Sequence, residues 1–206
     1  IVRGVPLDAA HEFNGTLFDL LNPYGLFGGV TTLVLFYAHG AQFLGLRLKG
    51  ELQHRAEAIA SAMTPVAALL VAVFAGWTVV RQSGGAGIEA VSAVLMAGAA
   101  FAAAATFTGK RGAVAFGLTT AMIALMFCGL FAELFPNALV SNGPAGSTLA
   151  LSEAASTQYT LKVMTFVAVL LVPVVLTYQY WTYRVFRARL GAEDFMTGPI
   201  DLLPKA

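Results

Sequence analysis

Three histidines, His11, His39 and His54, are the side chains of this 206-residue chain best suited to hold a haem or carry a proton. Axial haem ligands are most often His or Met. His11 and His54 lie in polar surroundings, and His54 sits beside Glu51, Arg55 and Glu57. Only His39 falls inside a long charge-free stretch, where an ionisable residue is a functional candidate by default. On a helix it points within about 40° of Gly25, toward a packing side. It is read first as a hydrogen-bonding packing residue and second as a haem ligand or proton carrier, since no second intramembrane histidine completes a pair. Carboxylates could also relay protons, but Asp19, Glu89 and Glu133 all fall at the outer ends of apolar stretches. The single cysteine, Cys128, offers no disulfide and no metal-site spacing, and is expected to be a small buried hydrophobe. No phosphate-binding Gly-Lys loop, HExxH or Ser-His-Asp set is present, so catalysis by this chain alone is not expected.

The elements that must position these residues are membrane helices. Only 11% of residues are charged and 58% are hydrophobic, against about 25% charged in soluble domains. Charge-free stretches run 20–46, 58–80, 90–109, 112–132 and 163–183. Each can cross a hydrocarbon core of about 30 Å as a helix, and lipid demands that backbone groups bond internally. The fold class is therefore all-α: a polytopic bundle of five transmembrane spans in one membrane domain covering 1–206. Nine of the 12 basic residues fall on the side reached after the first, third and fifth spans. The positive-inside rule makes that side cytoplasmic, with the N-terminal segment outside. Tyr178, Tyr180, Trp181 and Tyr183 cluster at the inner end of the last span, where interfacial aromatics belong. Asn22 and Pro23 suit a helix start as cap and first turn. Gly25 and Gly29 form a GxxxG pair expected to be a packing surface, and Pro65 and Pro173 are expected to bend their spans. The chain opens at Ile1 with no signal-peptide pattern, so a preceding part of the protein is expected.

Several segments together resemble subunit II of cytochrome bd-type quinol oxidases. Arg3-Gly4-Val5-Pro6-Leu7 is similar to an RGVP-type stretch leading into an outer loop. Phe18-Asp19-Leu20-Leu21-Asn22-Pro23-Tyr24-Gly25-Leu26 resembles the family's "LLNPFGLL" helix start and is the most specific match. His39-Gly40-Ala41 with Gly50-Glu51-Leu52 resembles the "HGA…GEL" pattern ending that helix. The segment from Ser156 to Thr165, then Val172-Pro173 and Tyr183-Arg184-Val185-Phe186, is similar to the last span and tail.

The resemblance implies a nine-helix subunit of which this chain holds the last five. It implies a homologous subunit I that carries haem b and haem d with their ligands and the quinol-binding loop. No catalytic, cofactor or metal residue is then expected here, and His39 stays a weak candidate, because some members carry glutamine at its position. The acidic residues proposed for the family's proton path belong to the preceding helices and none carries over. A structural quinone and small accessory subunits are allowed; membrane lipid is a partner and nucleic acid is not. The complex would oxidise quinol, reduce oxygen to water and generate a membrane potential in a bacterial inner membrane. Two other classes compete: half of a secondary transporter, which needs polar, interrupted helices at the midplane, and an electron-transfer subunit with a haem on His39.

Overall fold

The first long helix starts at Asn22-Pro23 for local reasons. Asn22 is extended (φ −78°, ψ 154°), and its Oδ1 accepts a hydrogen bond from Gly25 N at 2.8 Å. Pro23 takes the first helical position, where its missing N–H would have found no partner anyway. In the computed structural model, residues 4–8, 10–81, 98, 111–143 and 148–191 are described. A single turn, α1 (Leu17–Leu20), precedes α2 (Pro23–Arg47). Three residues later the chain reverses through Gly50, whose φ of +63° suits glycine, into α3 (Gly50–Arg81). Then come α4 (Gly112–Leu134), a one-turn helix α5 (Leu151–Ala154) and α6 (Gln158–Val185). Helices α2, α3, α4 and α6 are each long and apolar enough to cross a membrane. The expected span 90–109 lies outside the described residues except Gly98, which is helical. A Cβ at Gly98 would sit 3.5 Å from Leu125 Cβ and 3.7 Å from Met122 O, so the backbones approach closely there, as small residues allow in lipid.

The core lies between α2, α3 and α4. Leu35, Val71 and Met122 are buried at its centre, with Ala38, Ala67 and Ala68 letting the helices close on one another. Two glycines of α2 set the approach to α3. A Cβ at Gly28 would come within 3.1 Å of the Phe74 ring, and one at Gly45 within 3.2 Å of Glu57 Cγ. Among the described residues, a Cβ at Gly25 would meet only the Asn22 side chain, and one at Gly29 nothing within 4 Å.

The basic segments gather at one end of the bundle. A Cβ at Gly112, which follows Arg111, would lie 3.5 Å from Leu46 Cδ2, and Leu190 pairs in a parallel bridge with Leu48. Helix α6 has no buried residue, and the chain just past it is bonded to the end of α2. Pro65 and Pro173 stand inside continuous helices.

At the opposite end the segment read as a loop holds a small antiparallel ladder, β1 (Asn137–Leu139) with β2 (Leu149–Ala150). The N-terminal segment docks on it: Val5 N donates to Val140 O at 2.9 Å and Asn142 N to Val5 O at 3.1 Å. Gly4, at φ +90°, passes within contact of Asn142. Cys128, expected to be buried, is exposed on α4. Its apolar setting is the outside of the bundle, because lipid tolerates a thiol as readily as a protein core does.

Candidate functional site

The histidine of α2 is tied into a polar layer linking three helices. His39 Nδ1 of α2 lies 2.8 Å from Thr119 Oγ1 of α4. The Thr119 hydroxyl donates to Gln42 Oε1 at 2.7 Å, and Gln42 Nε2 donates to Thr64 Oγ1 of α3 at 2.8 Å. Thr64 in turn donates to Ala60 O at 2.7 Å. The directions agree with each other. A threonine hydroxyl has one proton and can also accept, so Thr119 passes its proton to Gln42 and accepts from the imidazole when Nδ1 is protonated. The carbonyls of Ala115 and Phe116, at 3.1 and 3.0 Å, are its alternative acceptors. The imidazole stacks on Phe116, with ring centroids 4.4 Å apart.

Thr119, Thr64 and Gln42 are buried while His39 is half-buried. His39 lies eight residues before Arg47, about 12 Å up from the basic end, and Thr119 seven residues above Gly112, about 10 Å, at 1.5 Å per residue. The four side chains thus form a belt at one depth rather than a wire along the membrane normal. Such a belt fixes the register of three helices, because sliding any of them by a turn would strand buried polar atoms.

The opposite end is held by aromatic packing around one hydroxyl pair. Tyr24 OH and Thr78 Oγ1 are 2.8 Å apart, and Thr78 also bonds Phe74 O. The Tyr24 ring stacks on Phe74 at 5.0 Å and meets Trp77 edge-on at 5.9 Å. Asp19, on α1, accepts from Thr16 N at 2.7 Å and Thr16 Oγ1 at 2.9 Å. These bonds hold its carboxyl below the usual range. A cleft beside Tyr24, lined by Gly28, Thr32, Phe74 and Met126 among others, has its polar groups already engaged. Tyr24 serves Thr78, Asn22 serves Gly25 N, and Thr32 serves Gly28 O. Among the described residues no group of three His, Cys, Asp or Glu is placed to hold a metal.

The family model described as cytochrome bd terminal oxidase subunit II matches residues 1–186. The chain belongs to that family. It is 34% identical over 200 residues to the cytochrome bd ubiquinol oxidase subunit 2 of Bacillus subtilis, covering 96% of this chain and 59% of the relative. It is 27% identical over 230 residues to the cytochrome bd-I ubiquinol oxidase subunit 2 of Escherichia coli K12, covering 94% of this chain and 61% of the relative. A probable cytochrome oxidase subunit 2 of Haemophilus influenzae is 25% identical over 227 residues, covering 93% of this chain and 60% of that protein. The chain thus spans about three fifths of the length of the curated relatives it matches. As a subunit II protein with several membrane-spanning helices and bacterial relatives, it is a multi-pass protein of a bacterial cytoplasmic membrane.

Within this subunit II chain the sequence singled out His39, Asn22, Pro23, Gly25 and Gly29, and the structure sorts them. Asn22, Pro23 and Gly25 form one helix start, His39 joins the polar belt, and a Cβ at Gly29 would meet nothing within 4 Å among the described residues. Gln42, Thr64 and Thr119 were missed. A helical glutamine and two threonines carry no motif, and threonine in a helix usually bonds its own i−4 carbonyl. Only the pairing of α2 with α3 and α4 shows that their hydroxyls also reach across. Gly28 was likewise passed over for its neighbour Gly29, because GxxxG spacing does not say which glycine meets an aromatic ring.

Proposed function

We propose that this chain is a haem-free scaffold part of a cytochrome bd-type oxidase that oxidises quinol and reduces oxygen to water. The haems b and d and the quinol site belong, on this reading, to a partner subunit I. The chain's five spans form one membrane domain whose N-terminal segment is outside and whose basic end is cytoplasmic, so that the complex builds a membrane potential. Family membership over residues 1–186 supports the assignment. The observation that carries the scaffold role is the bonding of His39. Its Nδ1 and its ring face are engaged by Thr119 and Phe116 of a neighbouring helix, which makes it a register-setting residue. Asn22, Pro23, Gly25 and Gly29 are read as structural: three as a helix start, and Gly29 as a point of close approach by a helix from another segment.

The transporter alternative needs helices broken at mid-membrane, whereas α2, α3, α4 and α6 run unbroken. A reduced-minus-oxidised spectrum of the native complex, purified through this subunit, tests the assignment. Haem b and d bands travelling with a second, larger subunit are expected. The same bands are expected unchanged in His39→Gln, and loss of one b band in that variant would transfer a haem to His39.

A further inference from the structure

The hydrogen bonds of the polar belt have a direction, and that direction decides what His39 can do. Each threonine hydroxyl has one proton to give, and the Gln42 amide has one donor end and one acceptor end. As the amide stands in the structure, Thr119 donates to Gln42 Oε1 at 2.7 Å, Gln42 Nε2 to Thr64 Oγ1 at 2.8 Å, and Thr64 to Ala60 O at 2.7 Å. The proton of Thr119 is then spent, so the 2.8 Å contact with His39 Nδ1 needs the proton to be on the imidazole. Its other acceptors, Ala115 O and Phe116 O, leave Nδ1 as the donor in the same way.

The opposite direction is weaker. With the amide turned over, Thr64 donates to Gln42, Gln42 to Thr119, and Thr119 to a bare Nδ1. That makes three bonds against four, because Thr64 has no proton left for Ala60 O. A mixed arrangement, with the amide as it stands and Thr119 donating to Nδ1, strands Gln42 Oε1 in a side chain only 6% exposed. The belt therefore selects the Nδ1–H form of the ring.

A neutral imidazole carries one ring proton, so Nε2 is left as a bare acceptor. Nε2 has no hydrogen-bond partner among the described residues, and the ring is half-buried. Charged groups stand away from it along each helix packed there. Arg47 is eight residues on along α2; on α4, Arg111 is eight before Thr119 and Glu133 fourteen after; on α3, Glu57 is seven before Thr64 and Arg81 seventeen after. At 1.5 Å per residue each lies about 10 Å or more along the axis. Tyr37 is on the opposite side of α2, and Cys128 is nine residues beyond Thr119.

We propose that Nε2 of His39 is a proton-accepting site that loads and unloads without breaking a bond of the belt. A proton from water adds to the Nε2 lone pair and gives an imidazolium, whose Nδ1–H still donates to Thr119. With the belt reversed, loading would set Nδ1–H against the Thr119 O–H and force that hydroxyl to turn away. The proton stays at His39, since passing it along would require the Gln42 amide to turn over. The site rests on the belt geometry and not on the oxidase assignment, so its failure leaves that assignment untouched.

The test is solid-state NMR of the native complex in its membrane lipids, isotope-labelled at histidine nitrogens and threonine carbons. His39 is the ring whose Nδ1 contacts a threonine Cβ and whose signals vanish in His39→Gln; the contact identifies it even where that variant fails to assemble. Well above neutral pH the Nδ1–H form should exceed the Nε2–H form by on the order of fivefold, the ratio that one extra hydrogen bond gives. As pH falls, Nε2 should gain its proton while the Thr119 contact stays. In Thr119→Val the tautomer ratio should fall toward one. A neutral ring protonated mainly at Nε2 would mean that the belt runs the other way. An Nε2 still bare where the complex unfolds in acid would mean a sealed packing residue, and loss of the Thr119 contact on protonation would mean that loading breaks the belt. Each of these three results overturns the proposal.

Discussion

Thr119→Val tests whether the polar belt holds the helices in register. Valine nearly matches threonine in shape, so little packing changes. The hydroxyl it removes serves two partners on α2, Gln42 Oε1 at 2.7 Å and His39 Nδ1 at 2.8 Å. Interhelical hydrogen bonds in membranes are worth about 0.6 kcal/mol on average, with a maximum near 1.7. Stranding a buried acceptor costs about 1–3 kcal/mol. Gln42 is buried at 6% exposure, so its oxygen finds no water, and the variant should lose about 2 kcal/mol. Gln42→Leu deletes two interhelical bonds but strands no hydroxyl, because Thr64 keeps Ala60 O and Thr119 keeps Ala115 O or Phe116 O. It should lose only about 1 kcal/mol. The double variant removes the stranded oxygen as well, so its loss should fall short of the sum of the singles by about 1 kcal/mol. Equilibrium unfolding of the full-length subunit in mixed micelles of rising SDS fraction, followed by far-UV circular dichroism, measures all three. Additivity within about 0.3 kcal/mol, or a Gln42→Leu loss larger than that of Thr119→Val, would refute the argument.

Asn22→Ala removes the cap on Gly25 N and should cost about 1 kcal/mol in the same assay, with Asn22→Asp largely retaining stability. Gly28→Leu and Gly29→Leu should part company although they are neighbours. The first drives into Phe74 and destabilises the subunit itself. The second meets nothing within 4 Å among the described residues and should leave the subunit folded while lowering the yield of assembled complex, with unchanged haem bands in what assembles; Pro23→Leu should also lower that yield. Leu48→Cys with Leu190→Cys should cross-link on mild oxidation, and Arg47→Ala should slow that reaction by freeing the tail. Asp19 has its carboxyl lowered below 3.8 by Thr16. Its contribution is therefore complete above about 3.8 and is lost as pH falls through the lower folded value. Exchange at the Thr16 amide, corrected for the intrinsic rate, should rise relative to neighbouring amides over that acid range, and the pH dependence should vanish in Asp19→Asn.

Long apolar runs were legible because lipid permits few alternatives: charge-free stretches of this length in a bilayer are helices. The start of α2 was legible for the same reason that it forms, since Asn22 and Pro23 act locally. The gathering of basic residues at one end was legible from charge alone. What could not be read was contact. Cys128 follows the ordinary soluble rule that a cysteine in an apolar run is buried, but in a membrane the bundle's exterior is apolar too. Hydrophobicity therefore no longer tells inside from outside. Gly25 and Gly29 fit a spacing rule that says backbones can approach, without saying which helix does. The ladder of Asn137–Leu139 with Leu149–Ala150 was hidden because its strands are too short for any alternation to show.

The polar residues reveal most about how this chain is built. In water a helix pair is told where to meet by its apolar stripe. Here every face is apolar, and the hydrophobic difference between packed and lipid-facing positions vanishes. Register must then come from steric closeness and from the few groups that lipid cannot satisfy. Gly28 against Phe74 and Gly45 against Glu57 supply the first, at the two ends of the α2–α3 contact. The hydroxyl pair of Tyr24 and Thr78 and the belt of His39, Thr119, Gln42 and Thr64 supply the second, one toward each end of the bundle. Two polar fastenings at different depths fix both the slide and the tilt of α2 against α3, which a single one would leave free to pivot. His39 is then the outermost member of a fastening, and glutamine could take its place there by offering one donor and one acceptor at similar reach. A haem ligand could not be exchanged in that way.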